Sequence, residues 1–438
     1  MSAAVAEEQS TDSNVELPAV ESIKLEGAVL DPVNLTNEQE FNGHCGITLE
    51  TLPYELLLLV FNYVDAGHLI RSVSKVCQKF HVLLSSETYW KTRLTAWYSP
   101  DRYPPVSDLS EDFDWQEACL ATEESYGFWR NNSQKTECIR ISNMSSGFSD
   151  SVHFLKGSQL LLVGSRDHSL TVMDVDKLVK DQPNSYREAI LYSDHKCHKG
   201  WVWCLNSYGN QFCSGCWDSN IRLWDSNPNI ALISTFRCNS AVLDIYMEPN
   251  LIVAGTHFRT MCTIDTREGV IHEEKLHRMP VLCLAVTQKY IITGSEDSQI
   301  CVFDRKAGSV FKKIALDEYP MCLTFNNNHL WVGDHVGKIH LFDATDDQFN
   351  LVMSHDLRSS SNRCKLTTIR HSMGALFTSS NERNEGKITI MEPTANLQRI
   401  SCISPNFGEI AGLDHSKNTL AYAGSNCCVE IWKPKPQL

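Results

Sequence analysis

The chain has 438 residues, a formal net charge of −14 at pH 7 and an apolar fraction of 42%. That length allows more than one domain and the apolar fraction allows a folded core. The acidic balance argues against a phosphate-backbone partner, which needs basic patches, and no apolar run approaches membrane-spanning length or opens the chain as a secretory leader.

The protein is therefore expected inside the cell, in cytoplasm, nucleus or both. Its 17 cysteines are scattered among apolar strand residues and are expected as reduced core thiols.

Residues 1–46 carry nine acids (Glu7, Glu8, Asp12, Glu16, Glu21, Glu26, Asp31, Glu38 and Glu40) against Lys24 alone, so −8 of the −14 is tail charge. With few apolar residues to offset ordering entropy, this segment reads as a disordered acidic tail.

Residues 47–94 change to helical spacing. Leu52-Pro53 opens a first helix, with proline tolerated in the first turn. Leu56, Leu57, Val60, Phe61 and Val64 line one broad face. Asp65 caps a second short helix holding Leu69 and Ile70. Val73, Val76, Cys77, Phe80, Leu83 and Leu84 continue the stripe along a third helix, and Trp90 anchors the end of the segment. So much aliphatic surface in about fifty residues exceeds what so small a domain buries, which leaves part of the stripe for a partner.

Residues 95–133 read as a connector. Tyr103-Pro104-Pro105 breaks any helix. From Asp114 an amphipathic helix sets Trp115, Cys119, Thr122, Tyr126 and Trp129 on one side, the pattern of a packed strut rather than a flexible linker.

Residues 134–438 are organised by repetition. Residues 137–142 form a lone strand. In His198 to Asp225, Trp201-Val202-Trp203-Cys204-Leu205 alternates like a strand, Gln211–Gly215 gives a second, and Ile221–Asp225 a third after a tight turn. Glycines at 164, 215, 255, 294 and 333 are each followed ten residues later by aspartate, at 174, 225, 265, 304 and 343. From Gly215 the spacing is 40, 39 and 39 residues, within the 40–45-residue period of a WD propeller.

A degenerate sixth unit runs from Lys365 to Pro393 and a seventh centres on Gly424. The fold class is thus mainly β: a seven-bladed propeller behind a small all-α domain and helical linker. The last unit lacks an outer strand, so residues 137–142 are expected to supply it and close the ring, removing exposed edges. The excursion between Asp174 and His198 reads as a surface loop.

His198, Ser214, Asp218 and Trp224 resemble the structural tetrad of WD repeats. Blade four keeps His277, Thr293 and Asp297 but has Phe303 in place of the tryptophan. His195, Cys197, Cys213 and Cys216 offer zinc-type ligands, but His198 and Ser214 are committed to the tetrad, so neither metal nor cofactor is expected.

Leu52-Pro53-x-Glu55-Leu56-Leu57, Val76-Cys77-x-x-Phe80 and Trp90 together resemble the F-box. With the propeller this is the layout of the F-box/WD-repeat family, over residues 47–438. Tyr103-Pro104-Pro105-Val106, Phe113-Asp114-Trp115-x-x-Ala118-Cys119, Gly200-Trp201-Val202-Trp203 and Leu330-Trp331-Val332-Gly333-Asp334 are similar to one member in particular.

The resemblance implies the substrate-recognition subunit of a Skp–cullin–F-box ubiquitin ligase, without chemistry of its own. The Skp adaptor would dock on Leu52, Pro53, Leu56, Leu57, Leu69, Val73, Val76, Cys77 and Phe80, and the cullin–RING scaffold would join through it. A protein substrate destined for proteasomal degradation would meet Arg166, Trp201, Trp203, Trp217, His257, Arg278, Glu296 and His335, at the inter-strand turns and strand entries of one propeller face. Arginine-poor and aromatic, this set departs from the phosphate-gripping sites of the family.

Two alternatives stand beside this reading. One is a WD scaffold whose helical segment packs internally. The other is a cullin-four adaptor, for which Ile264-Asp265-Thr266-Arg267 is only a partial signature. A propeller enzyme is disfavoured, because no carboxylate pair or nucleophile recurs at one face.

Overall fold

The structure, a computed structural model, describes residues 48–97, 113–142, 144, 146–227, 229–358, 364–405 and 408–436. The acidic tail and the Tyr103-Pro104-Pro105 break lie outside them. No helix among the described residues is long and apolar enough to cross a membrane.

Among the described residues six helices precede the strands: α1 (Tyr54–Phe61), α2 (Ala66–Arg71), α3 (Gln78–Leu84), α4 (Glu87–Trp97), α5 (Trp115–Arg130) and the single turn α6 (Asn132–Lys135). Asp65 caps α2 by accepting the His68 amide at 2.8 Å, and Asp114 caps α5 through the Glu117 amide at 2.9 Å. The stripe read as continuous from Val73 to Leu84 is divided. A 3₁₀ turn spans Val73–Lys75, and Cys77 is extended before α3 begins at Gln78. The final helix of the domain runs on to Trp97, beyond Leu94.

Leu57, Phe61, Leu69, Phe80, Leu84, Trp90 and Leu94 are buried. The Phe61 and Phe80 rings meet edge to face at 5.3 Å.

One ion pair fastens these helices to α5. The Arg93 guanidinium grips Glu123 at two points, 2.6 Å and 3.0 Å. It also donates to the Phe61 and Val64 carbonyls at 2.8 and 2.7 Å, while Glu123 accepts the Ala66 amide at 2.8 Å. A buried charge pair holds only if its remaining hydrogen-bonding capacity is filled, and here the exit of α1 and the start of α2 fill it.

At its other end α5 lies on the propeller. Phe128 and Trp129 join the core formed by Ala375, Phe377, Ile388, Ile390 and Ile403, with the Trp129 and Phe377 rings 5.3 Å apart.

Behind α5 stand seven four-stranded antiparallel sheets. Six are built from consecutive strands. In the seventh, Ile410–Ser416, Thr419–Gly424 and Val429–Pro434 are completed by Thr136–Ile141, whose register pairs Thr136 with Pro434 and Ile141 with Val429. Arg140 Nε reaches Glu430 across this junction at 3.0 Å.

The sixth unit is complete, with strands Cys364–Ser372, Ala375–Glu382, Glu385–Met391 and Arg399–Ile403. The excursion after Asp174 is not only loop. It forms a 3₁₀ turn (Val175–Lys177), a helix (Pro183–Ala189) and the outer strand Ile190–Asp194. The reason is apolar content: Val175, Leu178 and Ala189 bury against Ile139 and Ile431.

The repeating glycine has a packing cause. A Cβ on Gly215 would stand 2.5 Å from Cys204 Sγ and 2.7 Å from Val242 Cγ1, on the first strand of the next blade. Gly255 faces Val281 Cγ1 at 2.7 Å in the same way. The aspartate ten residues on closes a local turn: Asp225, Asp265 and Asp343 accept the Asn227, Arg267 and Thr345 amides at 2.9, 2.7 and 2.8 Å.

Adjacent blades are also tied by side chains on their first strands. Asn206, Asp244 and Asp414 accept the Met247, Leu284 and Phe154 amides at 3.1, 2.8 and 2.8 Å.

Gly215→Ala should therefore lower unfolding free energy by roughly 1–3 kcal/mol, the usual cost of overpacking. Gly127→Ala, in α5 with nothing within 4 Å of the new carbon, should raise it by up to about 1 kcal/mol. Urea denaturation of the two variants checks the opposite signs.

Candidate functional site

Two surfaces carry the candidate residues. On the helical domain the docking set divides by burial. Leu57, Leu69 and Phe80 are sealed in the core; Leu52, Val73 and Cys77 are half-buried; Pro53, Leu56 and Val76 are exposed. Leu56 at 45% and Val76 at 65% are open, and so are Tyr54, Leu59, Val60, Tyr63 and Val82, which the docking set read from the sequence did not include. The signal was present: α1 reads YELLLLVF, apolar at every position but Glu55, and such a helix cannot satisfy both faces within one small domain.

On the propeller, Arg166, Trp217, His257, Glu296 and His335 each sit two residues after a repeating glycine. The first four line one cavity of about 390 Å³ at the centre of the ring, together with Trp203. Trp201 packs against Trp203 and Trp217, with ring centroids 6.4 and 5.3 Å away, and Trp203 and Trp217 meet at 5.6 Å. His257 lies 6.0 Å from Trp217.

The guanidinium of Arg166 stands 4.9 Å from the Trp201 ring, 5.8 Å from Trp203 and 4.9 Å from Phe148. Its Nε is held by both oxygens of the buried Asp150, at 3.0 and 2.9 Å. Burial raises the Asp150 pKa even against that cation.

Arg278 and His335 do not line this cavity. Arg278 is exposed, with its amide on Asp297 at 2.8 Å. His335 stacks on Tyr319, centroids 3.8 Å apart.

Phe148 and Asp150 were missed. Gly147 abuts the Asp167 amide as Gly200 abuts that of Asp218. Aligning those two glycines puts Phe148 in the register of Trp201.

The tetrad residues form a continuous chain. Trp224 Nε1 donates to Ser214 Oγ at 3.0 Å, Ser214 lies 2.8 Å from His198 Nε2, and His198 Nδ1 faces Asp218 at 3.3 Å. Burial lowers the His198 pKa and so keeps the ring neutral. Burial works to raise Asp218, but bonds from His198, Lys199 and Asn220 hold its carboxylate well below the usual range. A neutral His198 thus donates from Nδ1 and accepts from Ser214. In blade four His277 bridges Asp297 at 3.2 Å and Thr293 at 2.8 Å.

His198, Cys216 and Asp218 place ligand-type atoms within 4.8 Å of one another. The other candidate thiols diverge: Cys197 donates to the His168 carbonyl and Cys213 to that of Asn206. Burial pushes the Cys216 thiol up to about 12, which opposes the thiolate that a metal requires.

A small helical domain with an open apolar face, braced on a closed WD ring with an aromatic central cavity, defines a binding protein of two surfaces. The F-box-like family model matches residues 49–95, and the WD domain, G-beta repeat model matches 190–225 and 270–304. F-box/WD repeat-containing protein 9 of Bos taurus is 31% identical over 387 residues, covering 88% of this chain and 82% of that protein. The Homo sapiens protein of the same name is 31% identical over 388 residues, with the same coverage. F-box/WD repeat-containing protein mec-15 of Caenorhabditis elegans is 26% identical over 254 residues, 56% of this chain and 62% of that one. The chain belongs to the F-box/WD-repeat family.

The buried imidazoles give the ring a definite pH dependence. Burial lowers the pKa of His198, His277 and His415, takes His329 down to about 4 and, with neighbouring histidines, His371 to about 3. Unfolding returns each to about 6.5, so the stability they confer is complete above that pH and is lost as pH falls below it. At pH 5 His329 alone accounts for a loss on the order of 2 kcal/mol. Asp244 acts oppositely. Burial raises its carboxyl to about 6, so the folded state gains a proton before the unfolded one does. Five imidazoles outweigh it, and thermal melts followed by circular dichroism should show a lower Tm at pH 5 than at pH 7.

Proposed function

We propose that the chain is the substrate-recognition subunit of a Skp–cullin–F-box ubiquitin ligase. On this reading residues 47–94 dock the Skp adaptor, 95–133 form the connector, and 134–438 form the ring that holds a protein substrate, with 1–46 as an acidic tail. The cullin–RING scaffold joins indirectly, through the adaptor, and the substrate is marked for proteasomal degradation. The chain contributes binding and placement, and the chemistry belongs to its partners.

The observation that carries this reading is the second face of α1. Leu56, Leu59 and Val60 are exposed while Leu57 and Phe61, on the same helix, are buried, and Tyr63 in the turn that follows is exposed too. Val76 and Val82 are exposed as well, and the Lys79 ammonium of α3 stands 4.9 Å from the Tyr54 ring of α1. Large apolar side chains exposed together on one small domain point to a protein-interaction surface, and each aliphatic group buried on docking is worth roughly 1.5–3 kcal/mol before association costs. Membership of a family whose name joins an F-box to WD repeats supports the adaptor as the partner.

A double variant of exposed residues, Leu56→Asp with Val76→Asp, should weaken retention of the purified Skp adaptor at least about a hundredfold in pull-down titrations, with an unchanged melting curve. Trp217→Ala should leave adaptor retention intact and reduce substrate capture. Full adaptor retention by the double variant would refute the assignment.

A further inference from the structure

We propose that the aromatic side of the propeller cavity takes a basic side chain, lysine or arginine, from an extended peptide of the substrate. This deepens, and rests on, the reading of the propeller as the substrate-holding part.

Three observations lead there. The first is that the surface already shows what it accepts. The Arg166 guanidinium lies within cation–π distance of Phe148, Trp201 and Trp203, with the buried Asp150 as counter-ion. The chain's own arginine thus fills one aromatic compartment.

The second is that the neighbouring compartment has the same ingredients without an occupant from the chain. Trp217 is 38% exposed, His257 stands 6.0 Å from it, and Glu296 follows at the equivalent turn of the next blade on the same cavity. The Glu296 side chain is exposed and its carboxylate takes no hydrogen bond among the described residues.

The third is the balance of uncommitted charge. Of the cations lining the cavity, Arg166 is spent on Asp150, and Arg370 lies 3.4 Å from Asp414. Lys365 is left against the exposed carboxylates of Glu296 and Glu409. A phosphorylated or acidic peptide would meet more free carboxylate than free cation. A lysine or arginine would place its charge over the Trp217 face and against Glu296, where partial desolvation strengthens both attractions.

The test is an array of immobilised decapeptides in three sets, centred on Lys or Arg, on Asp, Glu or phosphoserine, or on neutral residues. It is probed with the full chain in complex with the Skp adaptor. The expected result is retention concentrated on the Lys/Arg set. Glu296→Gln should weaken it about tenfold, and both Glu296→Lys and Trp217→Ala should remove it, with melting curves unchanged. Retention of the acidic or neutral set that is lost with Trp217→Ala would overturn the inference while sparing the propeller as the substrate-holding part. So would Lys/Arg retention indifferent to Glu296→Lys. Failure to retain peptides of any set would overturn both.

Discussion

The architecture depends on how closely one blade can approach the next. At the end of the second strand of a unit the first strand of the following blade presses a branched side chain onto a glycine, as Val242 does on Gly215 and Val281 on Gly255. No β-carbon fits at that distance. The glycine is therefore a spacing constraint between blades, and its recurrence every 39 or 40 residues from Gly215 to Gly333 is the trace of a ring whose sectors meet at the same separation. The cross-blade bonds from Asn206, Asp244 and Asp414 act on the same seam, and the buried tetrad stiffens the blade behind it.

A ring made this way gives its turns a common direction. Arg166, Trp217, His257 and Glu296 stand at one fixed offset from the spacing glycine and line one cavity, while His335, at the same offset, stacks on Tyr319 instead. The framework repeats and the residue at the offset varies from blade to blade, which leaves specificity free to change without disturbing the seam. The helical domain is held to this frame by the Arg93–Glu123 pair at one end of α5 and by Trp129 on Phe377 at the other.

The parts legible in the sequence were those fixed by local chemistry or by repetition. The glycine and aspartate offsets revealed the WD propeller, and the F-box pattern marked the helical domain ahead of it. Asp65 and Asp114 announce their helices through capping. The hidden parts depended on which of two apolar faces turns inward. Periodicity marks Leu56 and Leu57 alike as apolar, yet Leu57 is fully buried while Leu56 is exposed, a choice that depends on tertiary packing rather than on spacing along the chain. The Asp150–Arg166 pair was hidden for a related reason: 16 residues separate them in sequence, and only strand pairing brings them together. The interruption at Cys77 was missed because apolar spacing does not report a single extended residue inside a helical stripe.

The central claim is that the open face of α1 to α3 engages a ligase adaptor while the ring stays free for its cargo. Hydrogen–deuterium exchange of the full chain, alone and with the purified Skp adaptor, tests this most directly. The account predicts slower amide exchange across residues 54–63 and 73–84 on addition of the adaptor, with the strands of the first three blades unchanged. Slower exchange in the propeller with none in those helices would contradict it.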